Sequence, residues 1–154
     1  MEHVKPPDFK LYDSMGALHQ LSQYQGRWIF LFFYPKDETL GCIKEVCGIR
    51  DVYHNFLKEG IMVIGVSADD AQSHTNFINK YGLSFLLLCD PEGIVSKEYG
   101  AWGEHKFDGK TIYGVQRESF LINNEGVVVK HYKKVNPDNH ANDVFEDYLR
   151  IKKI

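Results

Sequence analysis

Two cysteines five positions apart, Cys42 and Cys47, are the side chains of this chain best suited to do chemistry. Cys42 follows the segment Phe33-Tyr-Pro-Lys-Asp-Glu-Thr-Leu-Gly, which leaves an apolar run and enters a helical pattern at about Cys42. The first amide N–H groups of a helix lack intrahelical partners, and the dipole there favours negative charge. Both effects predict a Cys42 thiol with a lowered pKa, and the thiolate is the nucleophile of thiol chemistry. Attack on a peroxide needs two further provisions. The O–O bond must be held in line with sulfur, and the leaving oxygen must be stabilised as it gains charge. Thr39, three residues before Cys42, can supply a hydroxyl to such a pocket, and Pro35 can wall off one side and exclude water. A cation would complete it.

The elements that must position these residues are legible from periodicity. Trp28 to Tyr34 is a continuous run of bulky apolar residues, as in a strand buried on both faces. Ile61 to Val66 and Phe85 to Leu88 predict two more strands. Asp8 to Tyr12 alternates and meets the turn Asp13-Ser-Met-Gly16, which predicts an N-terminal β-hairpin. Ser119–Ile122 and Val127–Tyr132 flank Asn123-Asn-Glu-Gly126, a second hairpin signal. Helical spacing predicts helices over 42–58, 70–81, 94–99 and 139–151, with Gly60 and Gly82 as stops. Strand and helix signals alternate, so the fold class is α/β, with a central mixed sheet flanked by helices. A buried strand leading directly into a helix that opens on a cysteine suggests a thioredoxin-like fold, an analogy that does not establish function.

Composition narrows the function classes. The chain has 154 residues, the span of one domain, with 44% apolar and 25% charged residues and a formal net charge of -3. That balance argues against a nucleic-acid partner, which wants a basic face. The longest apolar run, Trp28 to Phe33, falls far short of the roughly 20 residues of a membrane-spanning helix. The first residues, Met-Glu-His-Val-Lys-Pro-Pro-Asp-Phe, carry charge and proline where a signal peptide would be apolar. The expected location is therefore cytoplasmic. Structural disulfides are rare there, and cysteine pairs are more often catalytic or metal-binding. Cys-x4-Cys without a second pair or a His-x3-5-His partner is a poor zinc pattern, so no metal or other cofactor is expected. His74 and His140 lie near predicted helix starts.

Pro35, Thr39 and Cys42 reproduce the spacing Pro-x-x-x-Thr-x-x-Cys, the active-site signature of peroxiredoxins. The fuller string Tyr-Pro-Lys-Asp-Glu-Thr-Leu-Gly-Cys-Ile-Lys-Glu-Val-Cys-Gly-Ile-Arg-Asp resembles the peroxiredoxin Q branch, also called bacterioferritin comigratory proteins. The likeness covers nearly the whole chain, including Pro7-Asp-Phe, Gly65-Val-Ser-Ala-Asp, Tyr99-Gly-Ala-Trp-Gly103 and Arg117-Glu-Ser-Phe-Leu-Ile122. It implies Cys42 as the peroxidatic cysteine, Cys47 as the resolving cysteine and Arg117 as the active-site cation. It also implies a hydroperoxide substrate, a thioredoxin-type thiol reductant and a monomer. The chain departs from the family pattern at Leu40, usually Pro, and at Ile43, usually Thr.

The implied disulfide carries a geometric demand. A sulfenic acid formed on Cys42 condenses with a nearby thiol. Five residues of ideal helix separate Cα atoms by about 8.6 Å, whereas a disulfide wants roughly 4.4–6.8 Å. Residues from Cys42 to Cys47 must therefore unwind before the bond can form. Blander readings stand beside this one. Cys47 can be core filler on an amphipathic helix. Cys89 follows an apolar strand and reads as buried and inert, or as the resolving thiol in place of Cys47. Glu45 reads as helix surface, although the family often pairs an acid there with the arginine. Trp102 and Tyr34 read as packing, and Phe33, Tyr34 and Leu40 could form an apolar rim for alkyl peroxides. Two rival functions share the fold: a protein thiol–disulfide oxidoreductase, which would more usually carry Cys-x-x-Cys, and a peroxide sensor using the same Cys42.

Overall fold

A computed structural model describes residues 1–153; Ile154, at the end of the expected domain span, lies outside the described residues. Strand β1 (Lys10–Asp13) turns back into β2 (Leu18–Gln20) as the expected hairpin. Asp13 closes the turn, its Oδ1 accepting from the N–H groups of Met15 and Ala17. Strands β3 (Ile29–Phe33), β4 (Met62–Ser67) and β5 (Leu86–Cys89) run parallel, linked by α1 (Leu40–Lys58) and α2 (Ala71–Tyr81). After α3 (Ile94–Glu98) come β6 (Trp102–Phe107), β7 (Lys110–Val115), β8 (Glu118–Ile122), β9 (Val128–Tyr132) and α4 (His140–Ile151). The main sheet has the order β2-β1-β5-β4-β3-β8-β9. Strand β8 lies antiparallel to β3, and β1 antiparallel to β5, so the sheet is mixed. This is the thioredoxin-like arrangement.

The unbroken apolar run of β3 follows from its central position. Phe30, Phe32 and the succeeding Tyr34 enter one core with Val46, Ile49 and Phe56 of α1, Phe77 of α2 and Val144 of α4. Ile29, Leu31 and Phe33 enter the opposite core with Leu11, Tyr99 and Phe120. Each of these β3 side chains is at most 3% exposed, and burying one contributes about 1.5–3 kcal/mol. Helix α2 starts on Asp70, whose carboxylate accepts from the Ser73 N–H at 2.9 Å, and stops at Gly82 in the left-handed conformation.

Two features differ from the sequence reading. Helix α1 begins at Leu40 rather than at Cys42, because Thr39 takes the extended N-cap conformation. The segment from Trp102 to Val115 forms a separate two-stranded hairpin that periodicity does not reveal. Strand β7 is mostly exposed and so lacks a buried stripe. Its signal was the turn pair Asp108-Gly109, at φ 54° and 75°, the Asp-Gly chemistry of a tight hairpin.

Candidate active site

Site geometry starts where β3 ends. The chain leaves Phe33 at the carboxyl end of the parallel strands, passes Pro35 and Thr39, and starts α1. Ile43 donates its N–H to the Thr39 carbonyl at 2.8 Å, the first i to i−4 bond of the helix. Cys42 therefore sits in the first turn, among amides with no intrahelical acceptor. The Thr39 hydroxyl donates to the Lys36 carbonyl at 2.8 Å, which tightens the loop. Glu38 holds φ 61°, a left-handed conformation that costs a non-glycine residue roughly 1–2 kcal/mol. The bonds of its neighbour Asp37 hold the loop in this shape.

Arg117, between β7 and β8, bridges two groups of α1. Its Nη1 donates to Glu45 Oε1 at 2.7 Å, and its Nη2 lies 3.5 Å from Cys42 Sγ. Gly41 permits this approach, since a Cβ there would stand 2.8 Å from Arg117 Nη2. Glu45 is thus not helix surface as expected: it is 1% exposed, because Arg117 draws it inward. Pro35, Thr39 and Arg117 line one open cavity together with Leu40, Trp102 and Tyr113. The structure brings Cys42, Thr39, Pro35 and Arg117 to one place. Cys47 lies further along α1, half-buried against the first core, and neither it nor the fully buried Cys42 is part of the cavity lining. Cys89 is half-buried at the end of β5, not buried as expected. Phe33 and Tyr34 are fully buried and cannot form a rim, whereas Leu40 is 71% exposed beside the cavity.

The electrostatics correct one expectation. Complete burial pushes the Cys42 thiol up, while Arg117, Thr39 and the Lys36 backbone pull it down; burial prevails. The lowered pKa expected from the helix start alone omitted this desolvation. Burial likewise pushes Glu45 up to about 7, against the pull of Arg117.

Sequence reasoning missed the network behind the loop. Asp37 Oδ2 accepts from His74 Nδ1 at 2.6 Å and from the Ser73 hydroxyl at 2.8 Å, and its Oδ1 accepts from the Tyr34 hydroxyl at 2.6 Å. His74 Nε2 donates to the Leu88 carbonyl at 2.9 Å. The Asp37 N–H donates to Asp69 at 2.8 Å. Asp37, Asp69 and His74 offer atoms within 4.8 Å of one another, but both ring nitrogens are already engaged. Tyr34 is therefore more than packing, since its hydroxyl anchors the loop. The only advance signal was an acid in the loop and a histidine one turn into α2.

A thioredoxin-like sheet that presents a buried cysteine at a helix start, with an arginine at hydrogen-bonding distance, is the architecture of a thiol-dependent redox protein. Residues 4–131 match the family model described as AhpC/TSA. Peroxiredoxin Bcp of Bacillus subtilis is 38% identical over 142 residues, covering 92% of this chain and 90% of that protein. Peroxiredoxin Bcp of Escherichia coli is 37% identical over 144 residues, covering 94% and 92%. The bacterioferritin comigratory protein of Xanthomonas campestris, described for its alkyl peroxide reduction activity, superimposes with a TM-score of 0.85 at 32% identity, covering 92% of this chain and 90% of that one. The chain belongs to the AhpC/TSA family and is a peroxiredoxin, a thiol peroxidase of the bacterioferritin comigratory or peroxiredoxin Q branch.

Proposed function

We propose that the chain works as one domain in which Cys42 reduces hydroperoxides and Cys47 resolves the product as an intramolecular disulfide. The observation that carries this reading is the 3.5 Å approach of Arg117 Nη2 to Cys42 Sγ, at a cavity walled by Pro35 and Thr39. Arg117 favours the thiolate over the thiol and can stabilise the oxygen that departs. Pro35 covers the loop side, and the Thr39 hydroxyl offers a hydrogen-bond partner to the bound peroxide. The thiolate attacks the terminal peroxide oxygen. An S–O bond forms, the O–O bond breaks, and the alkoxide takes a proton to leave as the alcohol. Leu40, Trp102 and Tyr113 give the cavity an apolar side that suits organic hydroperoxides as well as hydrogen peroxide.

Resolution needs α1 to open. Cys42 and Cys47 lie within one continuous helix over Leu40–Lys58, so their Cα atoms are about 8.6 Å apart, too far for a disulfide. The helix is weakened there, since Gly41 and Gly48 flank the two cysteines. Unwinding exposes the disulfide to a dithiol reductant of thioredoxin type, which returns both cysteines to thiols. No helix is long and apolar enough to cross a membrane among the described residues. We assign the chain to the cytoplasm as a monomer. Peptide mapping after one equivalent of tert-butyl hydroperoxide tests the pairing. The reading requires a Cys42–Cys47 bridge, and a bridge to Cys89 or between two chains contradicts it.

A further inference from the structure

The Glu45 side chain is fully buried, yet only one of its oxygens is used. Oε1 accepts from Arg117, and Oε2 has no partner among the described residues. The other arm of the same guanidinium serves Cys42. One cation, itself 19% exposed at the cavity, therefore faces two buried acids. Ionising both would bury a net negative charge and leave a carboxylate oxygen unsatisfied, a costly arrangement in low dielectric. A proton on Oε2 removes that charge, while Oε1 still accepts from Arg117.

We propose that Cys42 and Glu45 share a single proton across Arg117, with Glu45 holding the proton that Cys42 releases. This rests on the reading of Cys42 as the peroxide-reacting thiol. Surroundings divide the roles. Burial raises both groups, but beside Arg117 the sulfur also has the free first-turn amides, Thr39 and the Lys36 backbone to offset it. Glu45 lies one turn on, with Arg117 alone. Its proton is exchangeable near neutrality, because burial lifts the carboxyl to about 7. The ionisable groups around the pair are Arg117, before β8, and His140, at the start of α4. Burial and Arg117 hold His140 down at about 4, so it stays neutral and adds no charge.

The proton count balances. Thiol and carboxylate become thiolate and carboxylic acid. The thiolate then attacks the hydroperoxide, sulfur is oxidised to sulfenic acid, and the O–O bond is reduced to alkoxide. The alkoxide becomes alcohol with a proton from the water of the cavity, and Glu45 gives its own proton back to solvent and returns to carboxylate once the sulfur opposite Arg117 is neutral. Glu45 is thus a positioning residue that acts through Arg117 and sets which protonation state is ready to react.

Infrared spectra of the reduced protein titrated through pH 7, without peroxide, test this. A protonated-carboxyl C=O band is expected in the wild type, moved by 13C-glutamate labelling, missing in Glu45→Gln and lost at clearly lower pH in Cys42→Ser than in the wild type. The thiolate absorbance of Glu45→Gln should titrate about one pH unit or more below wild type, since Arg117 then serves sulfur alone. Thiolate absorbance with no carboxyl band would show an ionised Glu45 and overturn the proposal. A band that titrates at the same pH in Cys42→Ser and the wild type would also overturn it, because the two groups would titrate independently. Neither readout involves peroxide. Failure here leaves the peroxidase reading standing, whereas peroxide consumption by Cys42→Ser would defeat that reading first.

Discussion

Asp37 and His74 form an ion pair 2.6 Å long whose side chains are 1% and 0% exposed. Asp37 stands midway between Pro35 and Thr39, so this pair fixes the loop that shapes the cavity beside Arg117. Both ring nitrogens face acceptors, Asp37 and the Leu88 carbonyl, which makes the ring a buried imidazolium. Burial opposes the charge, but the bonds to Asp37, Cys89 and Leu88 overcome it and lift His74 to about 10.

Removing one partner should therefore be expensive. His74→Leu leaves Asp37 buried without its counter-charge and should lose about 3–5 kcal/mol in urea denaturation. The pair also has a pH signature. His74 is raised from 6.5 to about 10 on folding, so its contribution is full below 6.5 and is lost as pH rises through 10. Wild-type stability should fall between these values more steeply than that of His74→Leu. Parallel curves would contradict the assignment.

Gly41 is required by the approach of Arg117. A methyl at this position meets Arg117 Nη2, the end of a flexible side chain, so the fold should survive while the guanidinium moves off sulfur. Gly41→Ala should keep the free energy of unfolding within about 1 kcal/mol of wild type and lower the rate of Cys42 oxidation by about tenfold or more. Stopped-flow fluorescence of the reduced variant with excess peroxide measures that rate. An unchanged rate would remove Arg117 from the reaction.

Gly48 serves a different purpose. A Cβ there would find only the Pro137 carbonyl, at 3.9 Å, so alanine fits without strain. Gly48→Ala should strengthen α1 by about 1 kcal/mol. Disulfide closure after oxidation should then slow about fivefold, and more Cys42 should proceed to sulfinic acid when peroxide is in excess. Mass spectrometry of the sulfinic fraction against peroxide dose reads this out. Equal sensitivity in both proteins would mean that α1 need not open.

The contrast between these residues explains what sequence could disclose. The strands β3, β4 and β5 and the long helices were legible because burial imposes a period on them. The Pro35, Thr39 and Cys42 signature was legible because its spacing is local. Arg117 came only through the family resemblance, since 75 residues separate it from Cys42. Strand β7 carries no buried stripe, and Asp108-Gly109 was the mark of the hairpin. Glu45 looks like surface on a helical wheel, and only tertiary pairing with Arg117 turns it inward. His74 and Asp37 meet across 37 residues, a relation that no local pattern encodes.

The most direct measurement is steady-state hydroperoxide consumption with thioredoxin, thioredoxin reductase and NADPH, comparing wild type with Cys42→Ser and Cys47→Ser. The account predicts no consumption by Cys42→Ser and a single turnover followed by a stall for Cys47→Ser. Sustained consumption by Cys42→Ser, or undiminished cycling by Cys47→Ser, would contradict it.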